Sequence, residues 1–229
     1  TEVKSIITER YYSQEGLRGV LLVGHVPVPY SGFRAHDGHS NHVGAWPTDN
    51  YYAEMNEAWT DSIVNTPNTA IRNINIPNDG KFDNNAVIDL ELEIGRIDFH
   101  NMPAFPESEV DLLKNYFKKN HAFKHRDFIP QRQAFGKTFF GNGTYNCKPY
   151  VSPIVGTDNF QTGSFRNLLQ KESFLIAYGA GGGNFTSAAN ITNTALVVID
   201  SLQCVFMNSH GSYFGDWIVR IISFVLFLG

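Results

Sequence analysis

The chain is short of cysteine, of basic charge and of long apolar runs, and each shortage excludes something. Cys147 and Cys204 are the only thiols in 229 residues. They make no disulfide framework, and both read as unpaired structural cysteines. Lys and Arg total 18 against 22 Asp and Glu, a formal charge of −4. That balance removes the electrostatic case for nucleic acid, which rests on a basic patch. The largely apolar stretch from Ile218 to Gly229 has 12 residues, short of the roughly 20 that a membrane-spanning helix needs. No internal repeat and no linker is visible. Tyr178 to Gly183 is rich in Gly but lacks the Lys-Ser/Thr of a phosphate loop, and no GxGxxG follows the first apolar run.

What is present is a globular composition. Hydrophobic residues make up 42% of the chain and aromatics 14%, enough for a core in one large domain or two small ones. Asn and Gly are frequent between the apolar runs, as suits a loop-rich secreted or cell-surface protein. Glu2 to Tyr12 has helical spacing of Val3, Ile6, Ile7 and Tyr11. Gly19 to Val23 is continuously apolar, as a buried parallel strand requires, and the prolines at 27 and 29 end it. Residues 31–85 read as loop-rich. Asp89 to Ile97 alternates like a strand. Pro106 to Asn120 reads as a helix, with Glu107 and Glu109 early and Lys118 and Lys119 late, as the helix dipole prefers. Gln133 to Phe140 reads as a strand, Phe165 to Leu169 as a short helix, and Phe174 to Tyr178 and Leu202 to Asn208 as apolar strands. Strands alternating with helices, each strand running into a Gly-rich turn, predict an α/β fold with a mainly parallel sheet. The parallel strands fall near 19–24, 90–97, 173–178 and 202–208.

Three places hold residues suited to chemistry. The first is the pair of turns after the last two strands, because parallel sheets build sites at the C-terminal ends of their strands. The second is His36-Asp37-Gly38-His39-Ser40-Asn41-His42. Its three imidazoles, His36, His39 and His42, are a set that holds a transition metal; a loop with His and Asp bonded to backbone uses the same residues. The third is Pro77 to Asn85. Asp79, Asp83 and Asn85 around Gly80 are oxygen donors of the kind that binds calcium, without the closing Glu of an EF-hand; an Asx-rich turn is the other arrangement these residues support.

Val20 to Gly32 (VLLVGHVPVPYSG), Gly44 to Tyr52 (GAWPTDNYY), Glu93 to Asp98 (EIGRID), Tyr178 to Ser187 (YGAGGGNFTS) and Gly211 to Trp217 (GSYFGDW) resemble a family of large bacterial secreted proteins. That family is distantly similar to gingipain-like, caspase-fold cysteine peptidases. The resemblance implies a three-layer α/β/α sandwich, a secreted or cell-surface location, and a protein or peptide as partner. It also implies a cleft lined by Asp49, Tyr178, Ser209, His210 and Asp216. Gingipain-like enzymes carry Tyr-x-Gly-His-Gly after the third of these strands and a Cys after the next. Here Ala180 and Gly181 stand at the His position and His210 at the Cys position. Cys204 falls four to six residues too early. The expectation is therefore a pseudo-peptidase that binds or builds. An active cysteine peptidase using non-aligned residues and a metal-dependent hydrolase using the His36/His39/His42 loop are the alternatives. Sequons at Asn142, Asn184 and Asn190 are fortuitous in a bacterial protein.

The resembled family continues after Gly-Asp-Trp as D-x-x-N-N-F-L-R-A. Restoring one base before Ile218 lets codons permitted by IVRIISFVLFLG regroup to D-S-E-N-N-F-L-R-A-F-L. The expectation is a gingipain-like domain over 1–217, incomplete at its C-terminus, followed by a frameshifted tail over 218–229. A terminal apolar strand is the alternative.

Overall fold

The structure is a computed structural model that describes residues 1–13, 16–35, 38–62, 70–84, 89–140 and 146–216. The tail over 218–229 lies outside the described residues. The chain divides into two compact units, Thr1–His100 and the residues from Asn101 onward.

The first unit opens with helix α1 (Glu2–Ser13), which buries Ile7. Strand β1 (Gly19–Val23) follows where the apolar run predicts it. Strands β2 (Tyr30–Arg34) and β3 (Gly44–Pro47) and the single turn α2 (Asn50–Ala53) occupy the stretch read as loop. They are four or five residues long, too short to carry a period. Strand β4 (Glu93–Ile97) starts four residues later than alternation suggests, because Leu92 N–H donates to the Ala53 carbonyl at 3.2 Å. β1 and β4 pair in parallel, from Gly19 opposite Glu93 to Val23 opposite Ile97. β2 and β3 form an antiparallel pair. Ile7, Leu22, Tyr52, Ala53 and Leu92 make the buried cluster of this unit. Among the described residues the two faces of β1 differ: Leu22 is 4% exposed, whereas Leu21 is 58% exposed.

The second unit opens with helix α3 (Glu109–Lys124). It starts three residues later than expected because Ser108 is its cap, accepting from Asp111 N–H at 3.2 Å. Next come β5 (Ala134–Thr138), α4 (Lys148–Val155), β6 (Phe160–Gln161), α5 (Phe165–Leu169) and β7 (Phe174–Ala180). A small antiparallel meander of β8 (Gly183–Asn184), β9 (Ser187–Ala188) and β10 (Thr192–Asn193) leads into α6 (Thr194–Ile199) and β11 (Cys204–His210).

The main sheet has the order β11-β7-β5-β6, and every neighbouring pair is parallel. The protein is thus mixed α/β with a mainly parallel four-stranded sheet. From β5 the chain steps out to β6, then crosses back to β7 on the other side and continues to β11. The order reverses between β5 and β7, where an open parallel sheet leaves a crevice beyond its carboxyl ends. Thr138, Ala180 and His210 stand in one row at that end. Phe135, Phe165, Phe174, Ala177, Ile191 and Met207 belong to the buried core beneath it. Among the described residues no helix is long and apolar enough to cross a membrane.

Candidate functional site

Register brings the two strand-end turns together. Tyr178 lies opposite Asn208, Gly179 opposite Ser209 and Ala180 opposite His210. Gly181 N–H donates to the His210 carbonyl at 3.0 Å. Ala180 and Gly181 are therefore adjacent in space to His210. Side chains alternate along a strand, so His210 and Ser209 face opposite ways. The His210 ring meets Phe140 edge-on at 6.3 Å between centroids. Ser209 shares the face of Gly179, where an added Cβ would lie 2.5 Å from Ile191 and 2.8 Å from Phe165. Ser209 therefore belongs to the core side rather than to a cleft around His210. Tyr178, two residues before Ala180, shares the His210 face. Asp216 is 1% exposed, with its N–H donating to the Tyr213 carbonyl at 3.2 Å. Asp49 belongs to the first unit.

The glycines of this turn serve backbone packing. A Cβ on Gly183 would collide with the backbone of Gly211 and Ser212, and one on Gly181 with the carbonyl of Ala189. The two turns touch main chain to main chain, and glycine alone permits that approach.

Cys204 does not reach His210. Cys204 begins β11 and His210 ends it. Six residues at the rise of a strand separate them by about 20 Å. Cys204 is 2% exposed and its S–H donates to the Phe206 carbonyl at 3.0 Å. Burial pushes this thiol up to about 12, against backbone hydrogen bonds that work the other way. Cys147 is half-buried over the middle of β5, where a Cβ on Gly136 would come within 2.6 Å of its sulfur. Burial raises this thiol as well. A nucleophilic cysteine needs a lowered pKa and access; burial shifts both thiols the other way, and Cys204 is closed off as well.

Sequence reasoning missed a second cluster, at the carboxyl ends of β1 and β4. Arg96 forks onto Asp49, Nε to Oδ2 at 2.9 Å and Nη2 to Oδ1 at 2.7 Å, and also donates to the Val26 and Pro27 carbonyls. Its Nη1 lies 3.6 Å from Asp98 Oδ2. That same oxygen is 3.1 Å from His25 Nδ1. The His25 ring stacks on His100 at 3.9 Å. The signal was available: His25, Asp98 and His100 all follow the ends of apolar strands. Asp49 thus braces a buried arginine.

The candidate metal residues divide. His39 and His42 meet edge-on at 5.0 Å, while His36 lies outside the described residues. Asp79 accepts from Lys81 Nζ at 2.6 Å, Lys81 N–H at 2.9 Å and Ile76 N–H at 3.2 Å. Burial alone would raise this carboxyl, but those hydrogen bonds outweigh it and hold the pKa below its ordinary value. Asp83 is 5% exposed and accepts from Thr60, Ser62 and Asn75. The two carboxylates therefore serve separate hydrogen-bond systems. Asn85 lies outside the described residues. Asp61, which sequence reasoning did not single out, ties the turn by accepting from Asn78 N–H at 2.7 Å and Gly80 N–H at 2.8 Å. Among the described residues no three His, Cys, Asp or Glu gather as a metal site would require.

A scan against protein-family models, a search of curated proteins and a search of solved structures each returned no match.

Proposed function

We propose that this chain is part of a secreted, gingipain-like protein whose peptidase centre is degenerate, and that it acts as a binding or structural module. The proposed fold is a caspase-like three-layer α/β/α sandwich. Supporting it, Phe165 of α5 packs on Phe135 at 5.6 Å on one face of the parallel sheet, while Cys147 at the start of α4 covers Gly136, whose side of the strand is the opposite one. The reversal of strand order between β5 and β7 supports the strand-end turns as the old active-site location.

One observation carries the functional reading. His210 occupies the position of the nucleophile, and the nearest thiol along its strand is about 20 Å away, buried and held protonated. Acyl transfer through a cysteine needs the thiolate and its base within hydrogen-bond reach. A pair of alanine variants, Cys204→Ala and Cys147→Ala, tests it. The parent chain, offered casein and a mixed fluorogenic peptide set, should give no turnover above buffer. Hydrolysis by the parent that either alanine variant abolishes would restore the peptidase reading.

A further inference from the structure

Away from the strand-end turns, the second unit carries an apolar groove between the C-terminal half of α3 and the edge strand β11. Its wider part encloses about 520 Å³ and its narrower part about 150 Å³, and the two share Phe123, Lys124 and Phe128. Phe123 packs on Phe128 at 5.9 Å and on Phe206 at 5.8 Å to form the floor. Val205 and Phe206 both line it. They are consecutive in β11 and point to opposite faces, so the groove reaches the strand's backbone. β11 is an edge of the four-stranded sheet among the described residues. Ile129, 78% exposed, stands at the rim.

The rim is cationic. Among the described residues, Lys119, Lys124, Arg126 and Arg132 line the groove and no carboxylate does. Among the described residues none of the four is in an ion pair. This concentration stands against a chain with a net charge of −4. Arg126 is the most telling member. It closes α3 with a left-handed backbone, φ 61°. Asp127 N–H donates to Ala122 and Arg126 N–H to Phe123, the pattern in which glycine is the usual residue. A long cation sits there at a conformational cost, which suits retention for its charge.

We propose that this groove binds an acidic peptide with a large apolar anchor, the anchor resting on Phe123, Phe128 and Phe206 and the carboxylates meeting Lys124 and Arg126. The edge position of β11 among the described residues suits an extended chain, which adds to a sheet through its main chain. The chain's own apolar segment 218–229 has Arg220 as its single charged side chain, so no side chain of it pairs with these cations. The groove lies about 13 Å along β11 from His210, so the inference stands whether or not the peptidase centre is degenerate.

The test is fluorescence anisotropy of the full chain with three labelled peptides. One carries Leu and Phe between pairs of Glu, one has Lys for the Glu, and one has Ser for the Leu and Phe. The first should bind saturably, at least about ten-fold tighter than either control, and weaken with added salt. Salt would instead favour binding if the net negative charge of the chain dominated. Lys124→Glu and Arg126→Gly should each weaken the first peptide about five-fold or more. Arg126→Gly should do so while raising the melting temperature, which separates lost binding from lost folding. Equal binding of all three peptides, no saturation, or indifference to both substitutions overturns the proposal. So does tighter binding of dodecanoate than of peptide, or self-association that the same two substitutions abolish.

Discussion

Arg96 has 3% of its side chain exposed, and its donors go to Asp49 and to the carbonyls of Val26 and Pro27. Replacing it with alanine leaves Asp49, 16% exposed, facing two carbonyls without its cation. Breaking a buried pair by removing one partner costs roughly 3–5 kcal/mol, and the solvent access of Asp49 sets the expectation at the lower end. Urea denaturation of Arg96→Ala should show that loss. Arg96→Lys should recover less than half of it, because an ammonium cannot fork onto a carboxylate. At this scale the sequence was readable for cysteine and unreadable for arginine. A thiol inside an apolar run is buried by that run, so Cys204 could be placed in the core. The partner of Arg96 is 47 residues away, and no spacing rule reaches that far.

Elements with an internal period could be read, and those fixed by long-range contacts could not. The helix at 109–124 and the strands at 134–138, 174–180 and 204–210 lie within a few residues of their expected places. α6 has six residues, and its apolar run TALVVI reads equally well as a strand. The Gly-rich turn between β7 and β8 was visible, but its reason was not: the main chain of Gly211 and Ser212 arrives from 28 residues away. Gly183→Ala should therefore cost at least about 2 kcal/mol by overpacking, read as a lower melting temperature, whereas Gly182→Ala, with nothing within 4 Å, should change far less. The turn at 78–81 carries a pH signature. The folded pKa of Asp79 lies below its ordinary 3.8, so its stabilisation is complete above that value and is lost as pH falls through the folded one. Asp79→Asn should lose about 1 kcal/mol at neutral pH and show a flatter fall in melting temperature below about pH 4. The same melts repeated with calcium and with chelator address the ion: a calcium-dependent rise that Asp79→Asn and Asp83→Ala abolish would make this turn a metal site.

For the whole molecule, alternation of strands and helices predicted a parallel α/β arrangement; of the four expected strands, those at 174–180 and 204–210 lie in the four-stranded parallel sheet, whereas those at 19–23 and 93–97 form a separate parallel pair. The division at His100 and Asn101 left no mark in composition, because the boundary segment is neither Gly/Ser-rich nor charged. The proposed degenerate peptidase centre implies that neither Cys147 nor Cys204 is a nucleophile. Site-resolved alkylation by iodoacetamide at pH 7.4, native against urea-unfolded, measures it directly by mass spectrometry. Cys204 should react at least about a thousand-fold more slowly in the native chain, and Cys147 should also be slowed. A native rate above the unfolded rate at either sulfur would mean an activated thiolate and would contradict the account.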